Sequence, residues 1–137
     1  MQVSAKDLQH AFQLQQVVPP NPPSAIQPWT SIHFNVSGNR ILVESMDGLA
    51  IVLDGFEGTI QRVFQVPDST KCISRFTPDD QSLVMGTEKG SIYCWNIQSG
   101  TMVQKLEGHL GPIGALACNP KYAQMASSCT NTCLWIW

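Results

Sequence analysis

Along residues 29–137, short apolar runs rich in β-branched and aromatic residues alternate with polar breaks that contain Gly, Asp or Asn. Runs of four to six residues between such breaks read as β-strands, and no helical 3.6-residue spacing is sustained anywhere. The clearest stretch is Ser91 to Leu106, SIYCWNIQSGTMVQKL, two strands joined at Ser99-Gly100 as a hairpin. Its pattern recurs at a spacing of 42 residues: Phe34, Phe76 and Cys118 share a column, as do Gly48 and Gly90, Gly58 and Gly100, and Leu53, Trp95 and Trp137.

The recurrence predicts an all-β chain of about three units, each with four strands in its full form. First strands fall near 31–34, 73–76 and 115–118, second strands near 41–45, 83–87 and 123–127. Third strands fall near 49–53, 91–95 and 133–137, and fourth strands near 59–64 and 101–106. Turn residues separate them: Ser37-Gly38-Asn39, Asp79-Asp80, Asp47-Gly48 and Lys89-Gly90. The third strands, LAIVL and SIYCW, are apolar at nearly every position, as in sheets covered on both faces. The fourth strands carry Arg62 and Lys105 and read as half-exposed outer edges. The units divide as 29–66, 67–108 and 109–137, the last without a fourth strand. Residues 1–28 read as an outer strand of a preceding unit (11–18) followed by a connector with five prolines between 19 and 28.

Composition narrows the functional classes. The 137 residues are 43% apolar and 13% charged, a globular balance. Eight scattered basic residues and a net charge of −2 provide no stripe for nucleic-acid phosphates. No run of 18 apolar residues is present, and the first ten residues are polar, so neither a membrane span nor a secretory signal is visible. Five cysteines, with Cys72, Cys94 and Cys118 in apolar runs, read as buried reduced thiols, and Cys129 and Cys133 lack the partners of a zinc site.

Catalytic chemistry is not legible. His10, His33 and His109 lie in a tail, a strand and a loop, and His109 after Gly108 reads as a structural hydrogen-bonding residue. Asp79-Asp80 reads as a solvated turn tip. The binding candidates are loops at one end of the units: Met46 and Asp47, Glu88 and Lys89, Thr130 and Asn131, the 67–70 loop, and Leu110 in the segment His109–Pro112.

The period, Gly108-His109, FTPDD (76–80) and GSIYCWN (90–96) together resemble the WD-repeat β-propeller family. The naming dipeptide is Trp95-Asn96 in one unit and Leu53-Asp54 in the unit before. The family often joins a His, a Ser or Thr, a turn Asp and a Trp by hydrogen bonds. The resemblance assigns structural roles to His109, Trp95, Gly90 and Gly48, with the Asp column reading Asp47, Lys89 and Asn131. The segments LDGFEG (53–58), FTPDD and CNPKYAQMASSCTN (118–131) are similar to the WD-repeat subunits of COMPASS (Set-type) histone methyltransferase complexes. That resemblance implies a nuclear, chromatin-associated, non-catalytic scaffold without a cofactor. Its partners would be methyltransferase-complex subunits and transcription machinery, with no direct nucleic acid, membrane or small-molecule substrate. Relatives of this kind also serve in transcription termination, messenger-RNA 3′-end processing and a nuclear type-one phosphatase complex. A general WD-repeat interaction adaptor, or a non-functional truncated fragment, is the alternative. With propellers closing at four to eight blades, about three units read as a partial propeller whose open faces expose apolar surface.

Overall fold

In the computed structural model, residues 6, 7, 10, 29–46, 48–66 and 71–136 are described. The expected strand 11–18, the proline-rich connector, Asp47, the loop 67–70 and Trp137 lie outside them.

Among the described residues, eleven strands form three antiparallel sheets. The first sheet contains β1 (Trp29–Phe34), β2 (Arg40–Ser45), β3 (Leu49–Asp54) and β4 (Ile60–Gln65) in that spatial order. The second repeats it with β5 (Cys72–Phe76), β6 (Ser82–Thr87), β7 (Ser91–Asn96) and β8 (Met102–Glu107). The third has β9 (Ala115–Cys118), β10 (Gln124–Ser128) and β11 (Thr132–Ile136). Each strand lies within a residue or two of its expected position. The partial-propeller architecture is therefore present as three successive up-and-down sheets.

The core follows from strand alternation. On β7, Tyr93 and Trp95 point toward the first sheet, where Leu42, Ala50, Val52 and Phe64 join Leu83 and Met85 in one buried cluster. The intervening Ile92 and Cys94 point the other way, into a cluster with Val84, Ile113, Leu116 and Met125 against the third sheet. On β3, Leu49 and Ile51 join Val63 on the face turned away from the second sheet, and all three are buried. A central strand apolar on both faces is what each of these two-sided clusters requires.

Polar side chains fix the sheets to one another at their ends. Arg40 Nη1 donates to the Asp80 carbonyl at 2.9 Å, while the Asp80 carboxylate accepts from the backbone N–H of Val36 at 3.1 Å and of Ser37 at 3.2 Å. Asp80 is thus no solvated tip: it bridges the first two sheets, held at φ 59° in the β5–β6 turn. Arg62 reaches across from β4 to the carbonyls of Ile97, at 2.8 Å, and Gln98. Within the β3–β4 and β7–β8 turns, Asp54 Oδ1 accepts from Glu57 N at 2.8 Å and Asn96 Oδ1 from Ser99 N at 2.9 Å. The Asp-to-Asn change in that column therefore keeps the turn-capping acceptor.

Two further sequence expectations change. β4 is not a half-exposed edge along its length: Val63, Phe64 and Gln65 are buried, Phe64 against the Trp95 ring 5.4 Å away across the gap to the second sheet and Val63 against Leu49 and Ile51 on the other face. β8 is exposed over Met102–Lys105, as expected of an outer strand. Cys72, Cys94 and Cys118 are half-buried rather than buried, although each packs against a core cluster.

Leu83 is 0% exposed and Val103 is 66% exposed. Leu83→Ala is expected to lower unfolding stability by about 2–5 kcal/mol. Val103→Ala should stay within about 0.5 kcal/mol. Chemical denaturation of the two variants beside the parent chain checks both.

Candidate functional site

The up-and-down order of strands gathers the β2–β3, β6–β7 and β10–β11 turns and the β8–β9 connection at one end of the sheets. Glycine permits the first two turns: Gly48 and Gly90 adopt φ 80° and 89°, a region open to few other residues. Gly90 is also covered, because a Cβ there would lie 2.3 Å from the His109 carbonyl oxygen. The β8–β9 connection therefore lies directly on the Glu88–Gly90 turn.

From there the connection is tied to both neighbouring sheets. Ile113 N donates to the Thr87 carbonyl of the second sheet at 3.0 Å, and Gly114 N to the Ser128 carbonyl of the third at 2.9 Å. Its apex, Leu110, is 103% exposed, and Met46 on the first sheet is 56% exposed. The expected binding positions Glu88, Lys89, Leu110, Thr130 and Asn131 thus come together around the connection. Asp47 is outside the described residues, and Met46 belongs to the neighbouring turn of the first sheet.

Beneath Leu110 is a hydrogen-bonded set. His109 is 8% exposed, and its Nε2 is 2.7 Å from Ser127 Oγ. Trp135 Nε1 donates to the same oxygen at 2.8 Å, and His109 Nδ1 is 3.1 Å from Cys129 Sγ. Gly108 makes room for the indole, since a Cβ at that position would be 2.7 Å from Trp135 Cη2.

This set differs from the expected one. His109 is in it, but Trp95 is not: Trp95 packs against Phe64 and Tyr93, and its indole nitrogen has no hydrogen-bond partner among the described residues. The physical cause is register. Leu53 stands opposite Ile41 and Trp95 opposite Leu83, whereas the residue opposite Met125 is Trp135, two positions before the column that led to Trp137. The glycine of the first two β-turns is replaced at that column by Thr132, a β-branched residue that resists positive φ. Thr132 instead enters β11 paired with Ser128, and the strand slides by two residues. A sequence signal for this was present in the missing glycine. Ser127, which the sequence pattern does not single out, and Cys129, weighed there only as a metal ligand, are two apart and join His109 in the set.

The description "WD domain, G-beta repeat" matches residues 100–137. The chain belongs to the WD-repeat family. This WD-repeat chain is 34% identical over 112 residues to "WD repeat-containing protein 82" of Drosophila melanogaster, covering 79% of the chain and 35% of that protein. It is 27% identical over 128 residues to "COMPASS component SWD3" of Saccharomyces cerevisiae, covering 83% of the chain and 41% of that protein. The chain therefore spans well under half the length of these curated relatives. In fold it is similar to the β-propeller domain of Cps50 (Swd1) from Myceliophteria thermophila, with a TM-score of 0.71 at 18% identity, over 78% of this chain and 40% of that one.

Nothing in the site assembles a metal centre: among the described residues no three His, Cys, Asp or Glu side chains cluster for one. At the opposite end, a groove of about 560 Å³ opens between the second and third sheets, lined in part by Val84, Cys94, Val103, Tyr122, Trp135 and Ile136. Among the described helical residues none form a helix long and apolar enough to cross a membrane.

Ser127→Ala removes the one oxygen shared by His109 and Trp135. Each buried group left unpaired costs about 1–3 kcal/mol, so the variant should unfold at clearly lower denaturant concentration than the parent chain. Gly90→Ala should cost more than Gly38→Ala in the same measurement. Both have positive φ, but a Cβ at Gly38 meets nothing within 4 Å whereas one at Gly90 strikes the His109 carbonyl.

Proposed function

We propose that this WD-repeat chain is a non-catalytic scaffold segment of a nuclear, COMPASS-type histone methyltransferase complex. The observation that carries the reading is the loop cluster around Leu110: a fully exposed leucine on a connection pinned from both sides and from beneath. A fixed apolar side chain flanked by Glu88, Lys89, Thr130 and Asn131 suits an ordered protein contact, with an apolar anchor and a polar rim.

The names of the curated relatives, one of them "COMPASS component SWD3", support the complex. The segments LDGFEG, FTPDD and CNPKYAQMASSCTN support the same class. A scaffold role also fits His109, whose two ring nitrogens are both engaged within the fold, leaving neither to act on a substrate. Roles in transcription termination, messenger-RNA 3′-end processing and a nuclear type-one phosphatase complex form part of the same proposal. In each, a catalytic or polymerase-associated partner would be held at the loop end.

Co-expression with the subunits of a COMPASS-type methyltransferase, followed by affinity purification, tests this reading. The parent chain is expected to co-purify in stoichiometric amount. Leu110→Asp should weaken capture about tenfold or more with an unchanged unfolding midpoint, because the side chain is outside the core. Absence of capture by folded parent chain, or equal capture by the variant, would contradict the proposal.

A further inference from the structure

The Cys129–His109–Ser127–Trp135 set has a fixed direction at its indole end. An indole N–H can only donate, so Ser127 Oγ accepts from Trp135. The Ser127 hydroxyl then has its own proton to give, and its other partner is His109 Nε2 at 2.7 Å. An imidazole that accepts at Nε2 carries its proton on Nδ1, and Nδ1 is 3.1 Å from Cys129 Sγ. With His109 in its Nδ1–H tautomer, the chain of donors runs from Trp135 through Ser127 and His109 and ends on sulfur. A second donor, Asn131 N, lies 3.5 Å from the same sulfur.

Sulfur surrounded by donors is a place for an anion. Where WD-repeat chains often use a turn carboxylate, this one has Cys129, whose thiolate is a stronger acceptor for His109 than the thiol. A nucleophile in hydrogen-bond reach of a histidine, itself held by a third group, is the arrangement that activates cysteines. Cys129 is also reachable, since it lies half-buried in the β10–β11 turn.

We propose that Cys129 is a modification site for hydroperoxides, and that its modification releases the connection carrying Leu110. The thiolate sulfur attacks the terminal oxygen of R–O–OH; the S–O bond forms as the O–O bond breaks. Sulfur is oxidised by two electrons to the sulfenic acid, the peroxide is reduced, and the departing alkoxide takes a proton from solvent and leaves as ROH. The sulfenic acid is neutral and bulkier than the thiolate, so His109 Nδ1–H loses its anionic acceptor. His109 is fixed to its sheet by that contact and by Ser127, and Leu110 follows it directly in sequence.

Two other thiols contrast with Cys129. Burial raises Cys94 and pushes Cys118 up to about 11, while the Asn131 N–H, His109, the Thr130 hydroxyl and the Gly111 N–H together bring Cys129 down to about 6. A thiol depressed in the fold contributes stability that is fully present above its unfolded pKa, near 9, and is lost as pH falls through about 6.

The test is site-resolved alkylation of the full chain with iodoacetamide between pH 5 and 9, read by peptide mass spectrometry. Cys129 is expected to react half-maximally near pH 6 and, at pH 7, about tenfold faster than an ordinary thiol. After hydrogen peroxide, dimedone should label Cys129 first, and hydrogen exchange should rise over residues 108–114 in the oxidised chain. Cys129→Ser should lose the label and the peroxide-dependent exchange together. A midpoint near the ordinary thiol value, or peroxide labelling spread evenly over Cys129 and Cys133, would overturn the proposal. The parent-chain pH profile decides this even if the variant fails to fold.

Discussion

In the first two sheets the central strands β3 and β7 are apolar on both faces, and that constraint organises the rest. Ala50 and Val52 on one face of β3, with Leu49 and Ile51 on the other, cannot be buried by a single hairpin. They require a neighbour on each side, and β7 repeats the demand with Trp95 facing one way and Ile92 the other. Stacking of like units is the solution, and it makes each sheet's stability depend mainly on those beside it. The polar bridges of Arg40, Arg62 and Asp80 set how the first two sheets meet, but the apolar alternation sets that they meet at all.

Stacking also generates the functional end. Antiparallel strands of equal length bring every second turn to the same side, so the Gly90 turn, the Leu110 connection and the β10–β11 turn become neighbours without any long-range device. The β8–β9 connection is rigid because backbone bonds to Thr87 and Ser128 hold one part of it and the His109 set holds another. A rigid loop carrying an exposed apolar residue is suited to hold a protein partner, and the same tethering makes its chemistry at Cys129 consequential for the surface above.

The sheets were legible in the sequence because two-residue alternation and turn glycines are local signals, and a spacing of 42 residues repeats them. Register in the last sheet was not. Extrapolating the Trp95 column by that spacing leads to Trp137, but Thr132 in place of a turn glycine shortens the path and brings Trp135 opposite Met125. Asp80 departs from its expected place for a related reason: a turn carboxylate is ordinarily solvated, and only the neighbouring sheet supplies the Val36 and Ser37 donors that occupy it. Likewise the loop positions could be named from sequence, while the set beneath them could not, since Ser127 and Cys129 become partners of His109 only after the third sheet folds under the connection.

The shifted register and the hydrogen-bonded set it creates are both reported by the indole proton of Trp135. Assigned two-dimensional NMR with hydrogen exchange would follow that one N–H. A Trp135 indole proton protected from exchange, and moved by Ser127→Ala while the Trp95 indole is not, is the result predicted here. An unprotected Trp135 proton that is indifferent to Ser127 would show that the last sheet pairs in the unshifted register and would contradict the account.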